Sequence, residues 1–138
     1  MSVVRRKKFK YVSEHLHKYS NLLNREFETE RPNQKWVTDI LYIPTAQGNC
    51  YLSVIRDLYD NSIVSYQMSK DMTVKLVLDT IKKAMKKENV ASELQLHSDQ
   101  GSQYVSHDYF VTTQSYGITP SMSRRGNPYD NALAENFF

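Results

Sequence analysis

The segment that decides the fold combines β-branched and aromatic residues in one unbroken run, Lys35-Trp36-Val37-Thr38-Asp39-Ile40-Leu41-Tyr42-Ile43. This composition predicts a β-strand, and Pro44 is predicted to end the strand because proline lacks a backbone N–H. Alternate side chains of a strand share one face, so Asp39 stands in an otherwise apolar row. A carboxylate in such a row needs a cation or several hydrogen-bond donors. The alternative is an Asp at the rim of the sheet that caps a turn.

Two further strands are predicted directly downstream, joined by short turns. Gln47-Gly48-Asn49 predicts the first turn and Tyr51–Arg56 the second strand. Asp60-Asn61-Ser62 predicts the next turn and Ile63–Met68 the third strand. Connections this short join antiparallel neighbours, so the first three strands are predicted to form an antiparallel meander.

Beyond the meander, helical and extended patterns alternate along the chain. They predict a helix over Thr73–Asn89, a strand over Glu93–Asp99, a helix over Ser106–Tyr116, a strand over Ile118–Ser123 and a helix that begins within Asp130–Phe138. The long crossover between the third and fourth strands predicts an α/β fold with a five-stranded sheet of mixed direction, flanked by helices. We expect Asp39 and Asp99 to lie on adjacent strands of this sheet.

The helix predicted over Thr73–Asn89 is amphipathic, and either Asp71 or Thr73 can cap its start. Its apolar residues fall within an arc of about 120°, and they are Val74, Val77, Leu78, Ile81, Ala84 and Met85. The opposite face carries Lys82, Lys83, Lys86 and Lys87. We interpret this lysine face as solvated.

Length and charge divide the chain into a basic arm, residues 1–33, and a core, residues 34–138. The chain has 138 residues, of which 40% are hydrophobic, and this suits one compact domain. Residues 1–35 hold nine Lys and Arg against four Glu, a net of +5, whereas the remainder has a net of −2. This asymmetry favours a nucleic-acid partner, with contacts from Arg5, Arg6, Lys7, Lys8 and Lys10. The alternative is a solvated tail.

Cysteine usage and hydropathy exclude several classes of protein. The single Cys50 excludes an internal disulfide framework and a multi-cysteine zinc site. No apolar run approaches the roughly 18 residues of a membrane span, and the first residues lack the apolar stretch of a signal peptide. We therefore expect a cytoplasmic protein that does not contact a membrane.

Three carboxylates remain candidates for chemistry: Asp39, Asp99 at the end of the fourth strand, and Glu135 in the last predicted helix. Ligands of α/β sheets gather at the carboxyl ends of strands, which is where Asp99 lies. Oxygen ligands without His or Cys favour Mg²⁺ or Mn²⁺, and such ions support phosphoryl transfer. Taken singly, Asp99 could form a turn and Glu135 could be an ordinary surface residue.

Three motifs give the chain a family resemblance. They are Trp36-Val37-Thr38-Asp39-Ile40, His97-Ser98-Asp99-Gln100-Gly101-Ser102-Gln103-Tyr104, and Ser123-Arg124-Arg125-Gly126-Asn127-Pro128-Tyr129-Asp130-Asn131-Ala132 followed by Glu135-Asn136-Phe137-Phe138. Over roughly residues 30–138 they resemble the catalytic core of bacterial insertion-sequence transposases, relatives of retroviral integrases with an RNase H-like fold and a DDE triad. The 35 residues between Asp99 and Glu135 match the spacing in that family.

The resemblance implies a role for each motif. Asp39, Asp99 and Glu135 would be the catalytic and metal-binding triad for Mg²⁺ or Mn²⁺. Ser98, Gly101 and Tyr104 would shape the active-site loop. Arg124, Arg125 and Asn127 would bind DNA. The implied enzyme cleaves double-stranded DNA at the ends of its element and transfers the 3′-OH to target DNA, acting in the bacterial cytoplasm at the nucleoid as a homodimer or higher oligomer.

Members of that family carry an upstream helix-turn-helix region and continue past the position of Phe138. The core is therefore expected to be truncated at its carboxyl end and weakly active. Two alternatives remain open, a non-catalytic remnant that binds DNA or dimerises, and an RNase H-like nuclease.

Overall fold

The computed structural model describes residues 17–24, 26–90 and 93–123 and contains a five-stranded sheet with two helices. The elements follow in the order β1 (Lys35–Thr45), β2 (Gly48–Asp57), β3 (Ile63–Ser69), α1 (Val74–Lys87), β4 (Leu94–Ser98), α2 (His107–Ser115) and β5 (Ile118–Met122). The predicted order of elements is confirmed up to β5. The helix predicted over Asp130–Phe138 lies outside the described residues.

The sheet has the strand order β3-β2-β1-β4-β5 and mixed direction, as predicted. β1 pairs antiparallel with β2, and β2 pairs antiparallel with β3, so the three strands form the predicted meander. β4 then runs parallel to both β1 and β5. This topology puts β1 at the centre of the sheet and next to β4.

The hairpin between β1 and β2 differs from the prediction at Pro44. β1 continues to Thr45, and Pro44 pairs with Asn49 of β2. β4 pairs with β1 only over Lys35–Val37, so β1 has one hydrogen-bonded neighbour where the proline occurs. Proline is tolerated at such an edge position. The turn is Ala46-Gln47, one residue earlier than predicted, and Gly48 begins β2 with a φ of 124°.

The main core lies between the sheet and the two helices. Its fully buried members include Trp36 of β1, Ile55 of β2, Ile81 of α1 and Tyr109 of α2. Thr73 caps α1 by accepting a hydrogen bond from the Leu76 amide at 3.3 Å. A second, smaller cluster on the other face of the sheet contains Leu23, Val37 and Leu58.

The buried face of α1 departs from the predicted arc at two positions, Leu76 and Thr80. Thr80 is buried because its hydroxyl lies 2.7 Å from the Leu76 carbonyl oxygen and 2.8 Å from Ser53 Oγ on β2. A hydropathy pattern treats threonine as polar and contains no information about its hydrogen-bond partner Ser53 inside the core.

Both edges of the sheet are covered. At β3, Lys83 Nζ donates to the Tyr66 carbonyl oxygen at 3.2 Å and Lys87 Nζ donates to the Val64 carbonyl oxygen at 3.1 Å. The interpretation of these two lysines as solvated was therefore wrong in part. Their side chains are exposed, but their ammonium groups donate hydrogen bonds to backbone carbonyl oxygens of the edge strand β3.

The opposite edge, β5, is covered by residues 17–24. The Met122 amide donates to the Ser20 carbonyl oxygen at 3.2 Å, and Leu23 is 1% exposed. These residues belong to the stretch that the charge analysis assigned to the arm, and they pack against the core. The arm positions Arg5, Arg6, Lys7, Lys8 and Lys10 lie outside the described residues. Within the described ranges, no helix is long and apolar enough to cross a membrane.

Candidate functional site

Asp39 lies on β1, and Asp99 directly follows the end of the adjacent parallel strand β4. The register of β1 and β4 pairs Trp36 with Leu96 and Val37 with His97. Two residues further on, β1 reaches Asp39, and the other chain segment reaches Asp99, one residue beyond the end of β4. The expectation that β1 and the strand leading to Asp99 are adjacent is confirmed.

The carboxylate of Asp39 is half-buried in the centre of the sheet. Its Oδ1 accepts a hydrogen bond from the Ile40 amide at 2.8 Å. Asp39 is paired across the sheet with Val54, which is 1% exposed. The position is therefore inside the sheet and next to an apolar neighbour, not at a rim where an Asp caps a turn.

The carboxylate of Asp99 is held by the loop that follows β4. Its Oδ1 accepts a hydrogen bond from the Gly101 amide at 2.6 Å, and the Gly101 carbonyl oxygen accepts one from the Tyr104 amide at 2.9 Å. A Cβ on Gly101 would lie 2.9 Å from Asp99 Oδ1 and 3.4 Å from Tyr104 Cδ2. An added Cβ would therefore crowd the carboxylate, whereas the Tyr104 ring would lie at an ordinary contact distance.

Tyr104 is 2% exposed, and its ring packs edge-on against Tyr109 at 5.6 Å between centroids. Burial raises the pKa of the Tyr104 phenol well above its usual range, and the negative charges of Asp39 and Asp99 raise this pKa further. The two carboxylates thus act on the same phenol, which stays protonated and uncharged at neutral pH.

The end of β4 is tied to β5 by hydrogen bonds. Ser98 is buried, and its carbonyl oxygen accepts from the Ser123 amide at 2.9 Å. The Gln100 side chain donates to the Ser123 carbonyl oxygen at 3.2 Å. Sequence reasoning named Ser98, Gly101 and Tyr104 but missed Gln100 and Ser123, because a contact with a later strand has no signature in the local sequence.

The structure also joins His97 to Ser121, a residue that the sequence did not single out. His97 Nδ1 lies 2.8 Å from Ser121 Oγ, and both side chains are buried. Nothing in the sequence around Ser121 marks it as a partner.

The other predicted site residues belong to stretches that the structure does not describe. Glu135, Arg124, Arg125 and Asn127 lie outside the described residues, as do the five basic residues of the arm. Within residues 17–24, 26–90 and 93–123, no three His, Cys, Asp or Glu side chains form a cluster that could hold a metal. The described part of the site therefore consists of two carboxylates and their supporting loop.

Comparisons with known proteins identify the family of the chain. The family model of the integrase core domain matches residues 29–128. The transposase for insertion sequence element IS904 of Lactococcus lactis subsp. lactis (strain IL1403) is 46% identical over 118 residues, which cover 86% of this chain and 47% of the relative. The transposase InsF for insertion sequence IS3A of Escherichia coli (strain K12) is 38% identical over 118 residues, or 86% of this chain and 41% of the relative. The chain thus spans less than half the length of these curated relatives.

Two solved structures share the fold. The simian T-cell lymphotropic virus intasome in complex with PP2A regulatory subunit B56 gamma contains a chain that matches with a TM-score of 0.72 at 20% identity, over 88% of this chain and 41% of that one. The HTLV-2 integrase catalytic core domain in complex with magnesium matches with a TM-score of 0.59 at 21% identity, over 66% of this chain and 61% of that one. At these identities the likeness shows the fold, which is that of a retroviral integrase core.

Proposed function

This chain belongs to the integrase core domain family, and from that membership we propose that it is the catalytic core of a DNA transposase. The proposed reaction is cleavage of DNA at the ends of a mobile element, followed by transfer of the freed 3′-OH to a phosphodiester of target DNA. The observation that carries the proposal is that Asp39 lies on β1 and Asp99 directly follows β4, the parallel strand next to β1.

We propose that a divalent cation, Mg²⁺ or Mn²⁺, binds at this pair. The donor set fits such an ion, because carboxylate oxygens are the ligands that it prefers. Asp39 and Asp99 would hold the ion, with Glu135 as the third ligand. A bound divalent cation lowers the pKa of an attacking hydroxyl or water and neutralises charge on the phosphate.

The residues around Asp39 and Asp99 orient the carboxylates. The Gly101 amide orients the Asp99 carboxylate through Oδ1. The uncharged Tyr104 phenol fills the space beneath the loop without adding a negative charge to the two already present. A scaffold of this kind orients oxygen ligands before a cation arrives, and positioned ligands of this type favour phosphoryl transfer.

DNA contacts are proposed for two basic groups outside the described residues. Arg124, Arg125 and Asn127 stand between β5 and Glu135 in the sequence, where guanidinium groups can bind phosphates at two points. Arg5, Arg6, Lys7, Lys8 and Lys10 would add sequence-independent contacts to the backbone. Because two element ends are joined to one target, we propose a homodimer or larger assembly acting on double-stranded DNA in the bacterial cytoplasm.

The proposal is tested with DNA from either side of the gene that encodes this chain, which supplies candidate element ends. The wild-type chain with Mg²⁺ is expected to join a labelled 3′ end to a second duplex. Asp99→Asn is expected to lower joining at least about 100-fold, since it removes a charged ligand. Asp108→Asn, on the exposed first turn of α2, is the matched control.

Binding of the cation gives a readout that does not depend on turnover. Mg²⁺ is expected to raise the melting temperature of the wild-type chain and of Asp108→Asn but not that of Asp99→Asn. Cleavage of an RNA–DNA hybrid without strand joining would instead indicate an RNase H-like nuclease. DNA binding with neither cleavage nor a response to Mg²⁺ would indicate a non-catalytic remnant.

A further inference from the structure

The hydroxyl of Ser121 connects three parts of the chain. Ser121 Oγ accepts hydrogen bonds from the Leu22 amide at 2.8 Å and the Leu23 amide at 3.1 Å, and it lies 2.8 Å from His97 Nδ1. Ser121 is 0% exposed and His97 is 3% exposed. One buried oxygen thus joins residues 17–24, which we call the docked segment, to β5 and β4.

The donors and acceptors at Ser121 can be assigned. The two backbone amides can only donate, so they occupy the lone pairs of the hydroxyl oxygen. The hydroxyl proton is then left for the contact with His97 Nδ1. The three hydrogen bonds depend on one another, because removal of the hydroxyl leaves two amides and one ring nitrogen without this partner.

His97 and the docked segment both adjoin the loop that carries Asp99. His97 lies on β4, two residues before Asp99. The His17 amide donates to the Val105 carbonyl oxygen at 2.7 Å, where that loop ends, and the His17 ring stacks on Phe110 at 4.1 Å. The docked segment therefore contacts Val105, after residues 99–104, directly, and it is linked to His97, before them, through Ser121.

We propose that Ser121 and His97 are positioning residues, which fasten the docked segment to β4 and β5 so that its docking orders the loop holding Asp99. The segment is then part of the site although it contributes no ligand. The consequence for cation binding rests on the proposed function, whereas the coupling between the docked segment and the loop does not. The family model begins at residue 29, so the segment lies upstream of the matched region.

The coupling is tested by amide hydrogen exchange in the full chain. Ser121→Ala is expected to speed exchange of the Leu23 amide at least about tenfold, since it loses a buried acceptor. The Leu22 amide is expected to exchange faster by a smaller factor, because it keeps the Ser20 carbonyl oxygen at 3.0 Å. It is also expected to speed exchange of the Gly101 amide, which reports the contact with Asp99. Ser65→Ala is the matched control, because Ser65 Oγ is equally buried and donates to the Thr80 carbonyl oxygen at 2.7 Å, distant in sequence from the segment and β4.

A second variant weakens the contacts between the docked segment and α2. His17→Ala removes the stacking on Phe110 and the 3.0 Å contact with His107 Nδ1, neither of which lies in the core. It too should speed exchange at Leu22, Leu23 and Gly101. Ser121→Thr keeps the hydroxyl and should restore slow exchange at all three amides.

Faster exchange at Leu22 and Leu23 with an unchanged Gly101 amide would overturn the proposal, as would an equal effect of Ser65→Ala. In Ser121→Ala and His17→Ala, the Mg²⁺ dissociation constant is expected to rise about fivefold or more. A change of about fivefold is the lower end of the effects that one coupled site has on binding at another. A wild-type chain that binds no Mg²⁺ would count against the proposed function alone, because the exchange rates still decide whether segment and loop are coupled.

Discussion

Gly101 is the residue at which the loop after β4 has least room. A methyl group there would lie 2.9 Å from Asp99 Oδ1, closer than real Cβ contacts come. Gly101→Ala is therefore expected to displace the Asp99 carboxylate, to cost about 1–3 kcal/mol of stability and to weaken Mg²⁺ binding. Calorimetric titration with Mg²⁺ and a denaturant curve measure the two effects.

The control for this substitution is Gly117→Ala, at the end of α2. Gly117 has a φ of 69° and nothing within 4 Å of an added Cβ. This variant should lose about 1–2 kcal/mol through backbone strain alone and keep the wild-type Mg²⁺ affinity. Equal loss of affinity in both variants would show that general destabilisation, and not the Asp99 contact, weakens binding.

The raised pKa of Tyr109 predicts how the stability of the fold changes at alkaline pH. The Tyr109 pKa is raised, first by burial and then by the nearby Tyr19, while the neighbouring Ser98 side chain opposes the rise. A phenol with a raised pKa in the folded state stabilises fully below the unfolded pKa near 10, and this stability is lost as the pH rises toward the folded value. The free energy of unfolding should thus fall above about pH 10, by up to about 1.4 kcal/mol per pH unit for this group.

Tyr109→Phe removes the ionisable group and should make that alkaline decline shallower. The same substitution at Tyr59, which is 49% exposed, is the control. Urea unfolding at pH 9, 10 and 11 gives the slopes. A Tyr109→Phe slope as steep as that of the wild type would mean that other groups cause the alkaline loss of stability.

At the scale of elements, Lys83 and Lys87 are expected to limit association through β3. Both ammonium groups occupy edge carbonyl oxygens, and Ile63, Tyr66 and Met68 of that strand are exposed. The double variant Lys83→Ala and Lys87→Ala should therefore self-associate at lower concentration than the wild type, because the freed edge can pair with another strand. Sedimentation velocity over a concentration series measures this.

The matched control exchanges Lys82 and Lys86 for alanine on the same helix. It removes the same charge, and both residues are exposed. If this control associates as strongly as the Lys83 and Lys87 variant, then reduced net repulsion explains the result and protection of the edge does not.

Elements were predicted well where one residue pattern decides them. The strand pattern of β1 and the helical pattern of α2 are local features, and both elements appear where the sequence predicts them. Pro44 was wrongly predicted to end β1, because pairing with β4 stops before this position and a proline is tolerated there. Thr80 was left out of the predicted buried face of α1, because its hydrogen-bond partner lies on β2. Errors of this kind come from tertiary neighbours that a local pattern does not contain.

At the scale of the whole molecule, the sequence supplied the mixed sheet and the adjacency of Asp39 and Asp99, because the crossover after β3 restricts where β4 can lie. It did not supply the docking of residues 17–24, since their basic and polar composition resembles that of an arm. Leu23 and Ser20 carry no pattern that indicates a strand edge, and the contact is visible only once β5 is in place.

The charge asymmetry predicts how DNA binding responds to salt. If Arg5, Arg6, Lys7, Lys8 and Lys10 bind phosphates, replacing all five with glutamine should lower affinity alike for unrelated duplexes. The slope of log affinity against log salt should flatten by about 0.9 for each phosphate that is no longer neutralised. Fluorescence anisotropy measures this slope over a salt series from about 50 to 200 mM, where phosphate contacts dominate binding.

The Lys82 and Lys86 variant serves here as the control for charge that faces solvent. Its slope should match that of the wild type. An unchanged slope in the glutamine variant would identify residues 5–10 as a solvated tail and leave DNA binding to other groups.

The hydrogen bond between Leu22 and Ser121 has a consequence for synthesis on the ribosome. Its two ends are 99 residues apart, so the docked segment emerges long before the strand that receives it has been translated. The hairpins of the meander can form from neighbouring residues in the meantime, whereas closing so large a loop must wait. Leu23 stays exposed over that interval, at a translation rate of about 5–20 residues per second. The nascent chain therefore offers an apolar site to chaperones for several seconds, and the pair of carboxylates forms only after β4 has emerged.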